Sequence, residues 1–378
     1  GFTRVNPNVN LVHRIRYDLK SFDKKMSEKQ FKIGIIGAGV IADFHAQAIQ
    51  AMSGAELVAA YARKESKAAD FSSKYGCHAY SNLDNFLAHP ELDIVTICSV
   101  SGVHLDHTLA AAKAGKHIIC EKPLEINTDR IDRMIQICEE NKVFLSGIFP
   151  RRFNQSTRIF QEAIQQGRLG KIVLCDTQIK WWRTQEYYDS GAWRGTWDLD
   201  GGGALMNQSI HTIDLMLHLM GDVSSVSASG GLEAHEGIEV EDIAVAILEF
   251  KSGARGVIQA STACYSNDGL PASIHICGDQ GSIMMVDDKF SIWDLKNTHK
   301  EDDEILSKYG LGQKSSGAGA ADPKAIDFQW HQRNFENALD ALRKNTKPEI
   351  DGKEGRRAVE LITAIYKSIK SNGARISL

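Results

Sequence analysis

The sequence predicts an α/β protein in two parts: a doubly wound parallel sheet, then an α+β domain with an open, mostly antiparallel sheet. Three observations lead there. From Phe31 to Phe149, short apolar runs alternate with helical stretches, the pattern of βαβ units and hence of parallel strands. A Gly-x-Gly-x-x-Ala turn, Gly37 to Ala42, joins the first apolar run to the first helix. After Arg151 the runs lengthen, and Gly-containing turns separate several of them, as in sheets whose neighbouring strands run antiparallel. A chain of 378 residues, 43% of them apolar, has room for two domains and material for their cores.

The elements follow in order. KIGIIG, 32–37, reads as a fully buried strand and VIADFHAQAIQAM as the helix after it. AELVAAYA, 55–62, is the second strand, and KAADFSSKYG is a helix ended by Gly76. HAY is a short strand, SNLDNFLAH a helix, and DIVTICSV, 93–100, another buried strand. HLDHTLAAAKAG is a helix stopped by Gly115. KHIICEKP and VFLSGIF hold two further strands, with TDRIDRMIQICEENK helical between them. In the second half, a helix over STRIFQEAIQQG precedes the strand-like KIVLCDTQIKWW, VSSVSASGGL, EDIAVAILEF, ARGVIQASTACY and ASIHICGDQGSIMMVD. FQWHQRNFENALDALRKN and GRRAVELITAIYKSIKSNG are helical patterns near the end, and SKYGLGQKSSGAGAADP, 307–323, reads as a surface loop, with a lid as the alternative. These runs place a nucleotide-binding domain at 31–149 and a second domain at 150–378, whose last helices can pack back on the first. Residues 1–30 are polar and aperiodic and read as an extension; Met26 followed by Ser27-Glu28-Lys29-Gln30 has the look of a natural start.

Composition narrows the function classes. Net charge is −4 with Lys and Arg scattered, which is not the footprint of a nucleic-acid binder. Seven cysteines, an odd number with no CxxC pair, argue against a disulfide framework or zinc knuckle and for a reducing, cytoplasmic compartment. No run nears the ~18 apolar residues of a membrane helix, and no apolar leader opens the chain.

The glycine turn carries the first chemistry. Gly37 permits the tight turn, and Gly39 lets the backbone approach a pyrophosphate. Ala42 lets helix and strand pack closely, while Val40 and Ile41 open a helix whose N–H groups face the phosphates. Cofactor choice falls at the end of the second strand. An NAD site usually has an acid there; here Ala62 and then Arg63 stand in its place. A missing carboxylate beside a guanidinium favours a 2′-phosphate, so NADP is preferred slightly over NAD.

Glu121-Lys122-Pro123 falls at the carboxyl end of a strand, the edge where open α/β sheets bind ligands. A lysine desolvated there loses affinity for its proton and can exchange it with a substrate hydroxyl. GGGALMNQSIHTIDLMLHLMG, 201–221, raises a different question, because polar residues interrupt an apolar run. On a regular helix Asn207, His211, Asp214 and His218 fall within about 60° of one another. Such a buried stripe needs partners, and an active site supplies them. His211 and His218 are about two turns apart, too far to share a zinc ion easily, so no metal is expected. WWRTQEYYDSGAWRGTWDLDGG, 181–202, holds four of the six tryptophans. Aromatic rings stack on the C–H faces of sugars, which makes Trp182, Arg183, Tyr187, Tyr188, Trp193 and Arg194 candidate lining. Arg183 or Arg194 can pair with a carboxylate or phosphate on the substrate. Arg152, at the domain junction, is a further candidate contact to cofactor or substrate.

These blocks together resemble the glucose–fructose oxidoreductase / inositol dehydrogenase / MocA (Gfo/Idh/MocA) family. The resemblance runs from GIIGAGVIADFHAQAI through HLDHTLAAAKAGKHIICEKPLEI and GGGALMNQSIHTIDLMLHLMG to YKSIKSNGARISL. It implies a Rossmann domain, an open-sheet second domain that serves homodimer or homotetramer contacts, and NAD(P)-dependent hydride transfer on a sugar, glycoside, inositol or nucleotide sugar. It also implies a cis bond between Lys122 and Pro123, and it gives His211 general acid/base or orienting work. Asn207 departs from the family, where many members carry Asp; an amide can bind a hydroxyl but cannot take a proton, leaving the proton to Lys122 and His211. Ser99-Val100-Ser101 replaces a Thr-Pro-Asn, with both serines still able to reach the cofactor. His104 matches, and His45 and His331 match as structural residues. The resemblance leaves two other readings: an NAD-dependent glycosidase with Tyr187 or Tyr188 as acid, and a non-catalytic dinucleotide-binding regulator.

Overall fold

The computed structural model describes residues 29–312 and 327–378. Its first sheet comprises β1 (Phe31–Ile36), β2 (Ala55–Tyr61), β3 (His78–Tyr80), β4 (Ile94–Ile97), β5 (His117–Cys120) and β6 (Leu145–Gly147). They lie in the order β3-β2-β1-β4-β5-β6, and every neighbouring pair is parallel. Ile33, Ile35, Ile36, Val95, Ile97 and Ile118 are fully buried, which explains why these strands read as unbroken apolar runs: helices cover both faces. The covering helices are α1 (Val40–Ala51), α2 (Glu65–Tyr75), α3 (Leu83–Leu87), α4 (His104–Lys113) and α5 (Thr128–Glu140). Strand order reverses between β1 and β4, so their carboxyl ends open the crevice in which such sheets bind ligands.

After α6 (Gln155–Gln165) come β7 (Ile172–Lys180), the short helix α7 (Gln185–Asp189) and α8 (Ile210–Met220). Then follow β8 (Val223–Gly231), β9 (Ile243–Phe250), β10 (Arg255–Ser261), β11 (Ser273–Gly278), β12 (Gly281–Val286) and β13 (Lys289–Leu295). With the terminal β14 (Ile376–Ser377), they form an eight-stranded sheet ordered β13-β12-β11-β7-β10-β9-β8-β14. All its neighbours are antiparallel except β7 and β10. β13 and β14 were not marked by the sequence reading. α9 (Glu301–Tyr309) also corrects it: Ser307, Lys308 and Tyr309 end a helix instead of opening a loop. The remainder of the expected loop or lid from 313 on, and the expected extension up to residue 28, lie outside the described residues.

Two long helices finish the chain, α10 (Gln329–Arg343) and α11 (Gly352–Lys370). α10 lies on the first sheet's helical layer, where Phe335, Ala338 and Leu339 share a buried cluster with Ala42, Ala46 and Ile49. Its Asn334 accepts the Phe149 N–H at 2.9 Å and donates to the Gly147 carbonyl at 3.2 Å. α11 packs between α5 and β6 on one side and α8 and β8 on the other. Among the described residues, no helix is long and apolar enough to cross a membrane.

The polar-striped helix is not regular throughout. Ala204–Ser209 winds as a π-helical turn before α8 begins at Ile210. The even angular spacing expected from Asn207 to His218 therefore fails at its first member, which sits one wide turn earlier. Such turns recur at functional sites because they re-aim a side chain. Glu241 anchors this one: its carboxylate accepts from Gly203 N and Leu205 N, both at 2.9 Å, and from the Tyr366 hydroxyl at 3.1 Å. The preceding glycines are sterically required. A Cβ on Gly201 would meet Ile126 at 2.6 Å, one on Gly202 the Tyr366 hydroxyl at 2.1 Å, and one on Gly203 the Glu241 carbonyl at 1.8 Å. Gly203→Ala should cost about 3 kcal/mol or more, since backbone and not a flexible side chain must yield. The check is a lower urea midpoint with unchanged slope.

Candidate functional site

The turn after β1 has the geometry a dinucleotide requires. Gly37 has φ +106°, its N–H donates to the Tyr61 carbonyl at 2.8 Å, and a Cβ there would strike the Cys98 carbonyl at 2.8 Å. Gly39 caps α1 with no side-chain bond to the helix N–H groups, and nothing lies within 4 Å of where its Cβ would be. Open space over uncapped N–H groups fits a pyrophosphate. Ala42 is fully buried against the sheet, Val40 is half exposed, and Ile41 lies between them in exposure. Ala62 is buried at the end of β2, with Arg63 exposed beside it. Ser99 Oγ pairs with His107 Nδ1 at 2.9 Å, and Ser101 is buried at the start of the next turn.

His104, which the family resemblance makes a candidate cofactor contact, directs both ring nitrogens at backbone carbonyls. Its Nδ1 faces the Pro123 carbonyl at 2.9 Å and its Nε2 the Ser99 carbonyl at 3.0 Å. Both nitrogens are committed to backbone, so the ring braces the loop that carries Lys122. The Lys122–Pro123 bond is cis.

The two halves of the chain meet at Lys122. Its Nζ donates to the carbonyl of Asn207 at 3.0 Å. Burial lowers the Lys122 pKa; Glu121 and Asp200 oppose that shift, and Arg194 and Arg183 reinforce it. Asn207 gives its amide hydrogen to Asp200 Oδ1 at 2.7 Å, which turns its own Oδ1 away from that carboxylate. Asp200 also accepts from Gly195 N at 2.9 Å. Burial raises its pKa against both bonds and against the Lys122 and Arg194 charges. His211 lies edge-on to Phe149, with ring centroids 6.0 Å apart, and its buried Nδ1 has no hydrogen-bond partner. Burial, then Lys122, holds its pKa well below 6.5, so the ring is neutral at physiological pH.

The aromatic segment divides. Tyr187 joins the site: its hydroxyl accepts from Arg194 at 2.8 Å and from Gln208 at 3.1 Å. Arg194 lies over both the Tyr187 and Trp193 rings, and Arg183 over Trp181 and Tyr187. Trp182 instead bridges to Ala263 and packs on His235 and Tyr265. Tyr188 is buried, with its hydroxyl on Thr262 Oγ1 at 2.8 Å, so it is core.

Arg152 is a correction. It is buried and bidentate to Asp214, Nε to Oδ2 at 2.8 Å and Nη2 to Oδ1 at 2.6 Å, with Nη1 on Glu354 at 2.9 Å. All three guanidinium nitrogens are held by carboxylates, so the charge is matched inside the protein and not turned toward a ligand. The same pair gives Asp214 its partner, as the stripe required. His218 is partly buried near this pair, and burial first, then Arg152, lowers its pKa to about 4. Arg152→Met would strand the Asp214 carboxylate, and the expected loss is about 3–5 kcal/mol of stability. Michaelis constants of the remaining folded protein should stay within about twofold; a selective rise in one of them would restore the ligand role.

The residues missed by sequence reasoning are Asp200, Gln208 and Glu241. Asp200 directly precedes the triple glycine, and that adjacency was its available signal. Glu241 lies 37 positions beyond Ala204 and carried none.

Comparisons with known proteins identify the family and the fold. Residues 31–149 match the model of the oxidoreductase family with an NAD-binding Rossmann fold, and residues 157–284 match the GFO/IDH/MocA C-terminal domain. The chain is similar to the myo-inositol 2-dehydrogenase of Thermotoga maritima, 32% identical over 67% of this chain and 74% of that one. It is also similar to the D-glucoside 3-dehydrogenase of Escherichia coli, 25% identical over 93% and 99%. Among solved structures, the WlbA dehydrogenase of Bordetella pertussis in complex with NADH and UDP-GlcNAcA superposes with a TM-score of 0.82 at 32% identity, over 93% of this chain and 99% of that one.

Proposed function

The chain belongs to the GFO/IDH/MocA oxidoreductase family, and from that premise we propose that it oxidises one hydroxyl of a carbohydrate bearing an anionic group, in the class of nucleotide-linked uronates. The observation that carries this is the meeting of Lys122, Asn207, His211 and two arginines beside the dinucleotide crevice. When bound, the nicotinamide supplies the hydride acceptor. Glycine turn and α1 N-terminus hold its phosphates. Lys122, its amine made less basic by burial, takes the hydroxyl proton. Neutral His211 orients the reacting hydroxyl, and the Asn207 amide oxygen accepts from a neighbouring one. Arg194 and Arg183 give the anionic group a partner, and Tyr187, whose oxygen already accepts twice, offers its O–H to the sugar. UDP-GlcNAcA in the Bordetella relative supports this substrate class.

The cofactor is NAD(H), as in that relative, with Arg63 adding tolerance of NADP(H). Arg63→Ala should weaken NADP(H) about tenfold and leave NAD(H) within about twofold, read by nucleotide fluorescence; equal effects on both would remove Arg63 from selectivity. The protein works as a homodimer or homotetramer through the outer face of the eight-stranded sheet, where Leu174, Val245 and Ile247 stand exposed. Seven unpaired cysteines support a cytoplasmic setting.

Turnover of NAD+ against a panel of uronates, nucleotide sugars, glycosides and inositols tests the activity. Lys122→Met should lower kcat by about 10²–10⁴. Oxidation needs the neutral amine. Its rate should therefore rise with pH through a midpoint below 10.5, the ordinary lysine value, and level off above it. Reduction needs the ammonium and should fall through the same midpoint. A Lys122→Met enzyme with wild-type kcat would exclude the assignment.

A further inference from the structure

Beneath Lys122 lies a buried group that this mechanism leaves unused. Glu121 comes from the end of β5, His45 from α1 and His331 from α10, and all three are buried. One oxygen of Glu121 is 2.9 Å from His45 Nε2 and 3.6 Å from His331 Nε2. The other accepts the backbone N–H of Lys122 at 2.9 Å. His45 is itself fixed from behind, with Nδ1 on Thr96 Oγ1 at 2.8 Å and near Cys98 Sγ at 3.2 Å. His331 stacks on Phe44, ring centroids 5.8 Å apart, and its Nδ1 has no hydrogen-bond partner. Phe335, one helical turn along α10, meets the His45 ring edge-on at 5.1 Å.

We infer that Glu121 is a positioning residue for Lys122: clamped by His45 and His331, its carboxylate holds the lysine's backbone and sets the field around its amine. This inference rests on the proton-transfer role given to Lys122 above. Two features carry it. The carboxylate spans both functions, one oxygen on the histidines and the other on the lysine's own N–H. Its charge is also the foremost opponent of the desolvation that weakens the Lys122 ammonium. Burial would push the Glu121 carboxyl up, but His331 and His45 outweigh burial and hold it well below the ordinary carboxylate range. The other charged groups that face Lys122 are Asp200, Arg194 and Arg183. His211, Cys98 and Cys120 also lie in the field of Glu121, and each is uncharged at neutral pH. α10, more than 200 residues along the chain, thus reaches under the reacting amine.

The same three side chains are close enough together to hold a metal ion, so the test must separate a cation site from a carboxylate–histidine clamp. The Lys122 titration midpoint is read directly, without turnover, by trace acetylation across pH and peptide mass spectrometry. Glu121→Gln keeps shape and acceptor but removes the charge, and should lower the midpoint by about one unit, tenfold in equilibrium constant. His331→Phe keeps the stacking ring and should lower kcat about tenfold, with NADH affinity and sugar KM within about twofold; His331→Gln, which restores a donor, should recover most of it. An unmoved midpoint in Glu121→Gln overturns the inference even if His331→Phe fails to fold. So does a His331→Phe defect that merely follows lost thermal stability and lost NADH affinity. Stoichiometric zinc in the wild type, absent from Glu121→Gln by elemental analysis, would replace the clamp with a metal site. If the wild type turns over no sugar, the dehydrogenase reading fails, while the labelling result still decides this one.

Discussion

The site depends on one steric constraint: neighbouring segments approach Gly201, Gly202 and Gly203 so closely that no side chain fits there. Each glycine abuts a different part of the molecule, Ile126 in the loop after Lys122, Tyr366 on α11, and Glu241 ahead of β9. That junction brings the π-helical turn up to the cis Lys122–Pro123 loop, so that the Asn207 carbonyl can receive the Lys122 ammonium. A Cβ at Gly201 would push the halves apart, and one at Gly202 or Gly203 would displace α11 or the backbone of Glu241. The buried Glu241 carboxylate then fixes the turn by three donors, because backbone N–H groups at the start of a helix need an acceptor when water is excluded.

Burial is the common cause of the site's electrostatics. It weakens the Lys122 ammonium, raises the Asp200 carboxyl and keeps His211 neutral. Opposite charges limit each shift without cancelling it. The outcome is a set of groups whose proton affinities are shifted from those in water, the pattern expected where titratable groups share a buried cleft. Elsewhere in the same stripe, Asp214 meets the same burial but is matched by Arg152 in a two-bond fork. One buried acid thus lies beside Lys122 and Asn207, and the other is a structural fastening.

The N-terminal sheet was legible because its signals are local. Unbroken apolar strands, glycine stops and the Gly37–Ala42 turn each follow from neighbours within a few residues. The antiparallel nature of most of the second sheet was legible from its turns, yet the parallel β7–β10 pair was not, since no short connection marks it. Lys122 and His211 were found as candidates from position and pattern. Arg152 was misassigned because a lone arginine at a junction looks the same whether it faces ligand or a buried carboxylate. The bracing contacts of His104 were not legible for a similar reason: its two backbone acceptors lie on loops distant in sequence from one another.

By itself, the sequence determined the order of elements, the glycine turn after β1, the candidate lysine at the end of β5 and the family. These are properties of short segments, set by periodicity, steric permission at glycine and the chemistry of one side chain. Tertiary structure alone decided which polar residues share a space: Asp200 with Asn207, Glu241 with the π turn, His331 with Glu121, Arg152 with Asp214. Those pairings depend on where remote segments come to lie, because hydrogen bonds and buried charges act over a few ångströms while their partners are separated by up to hundreds of residues.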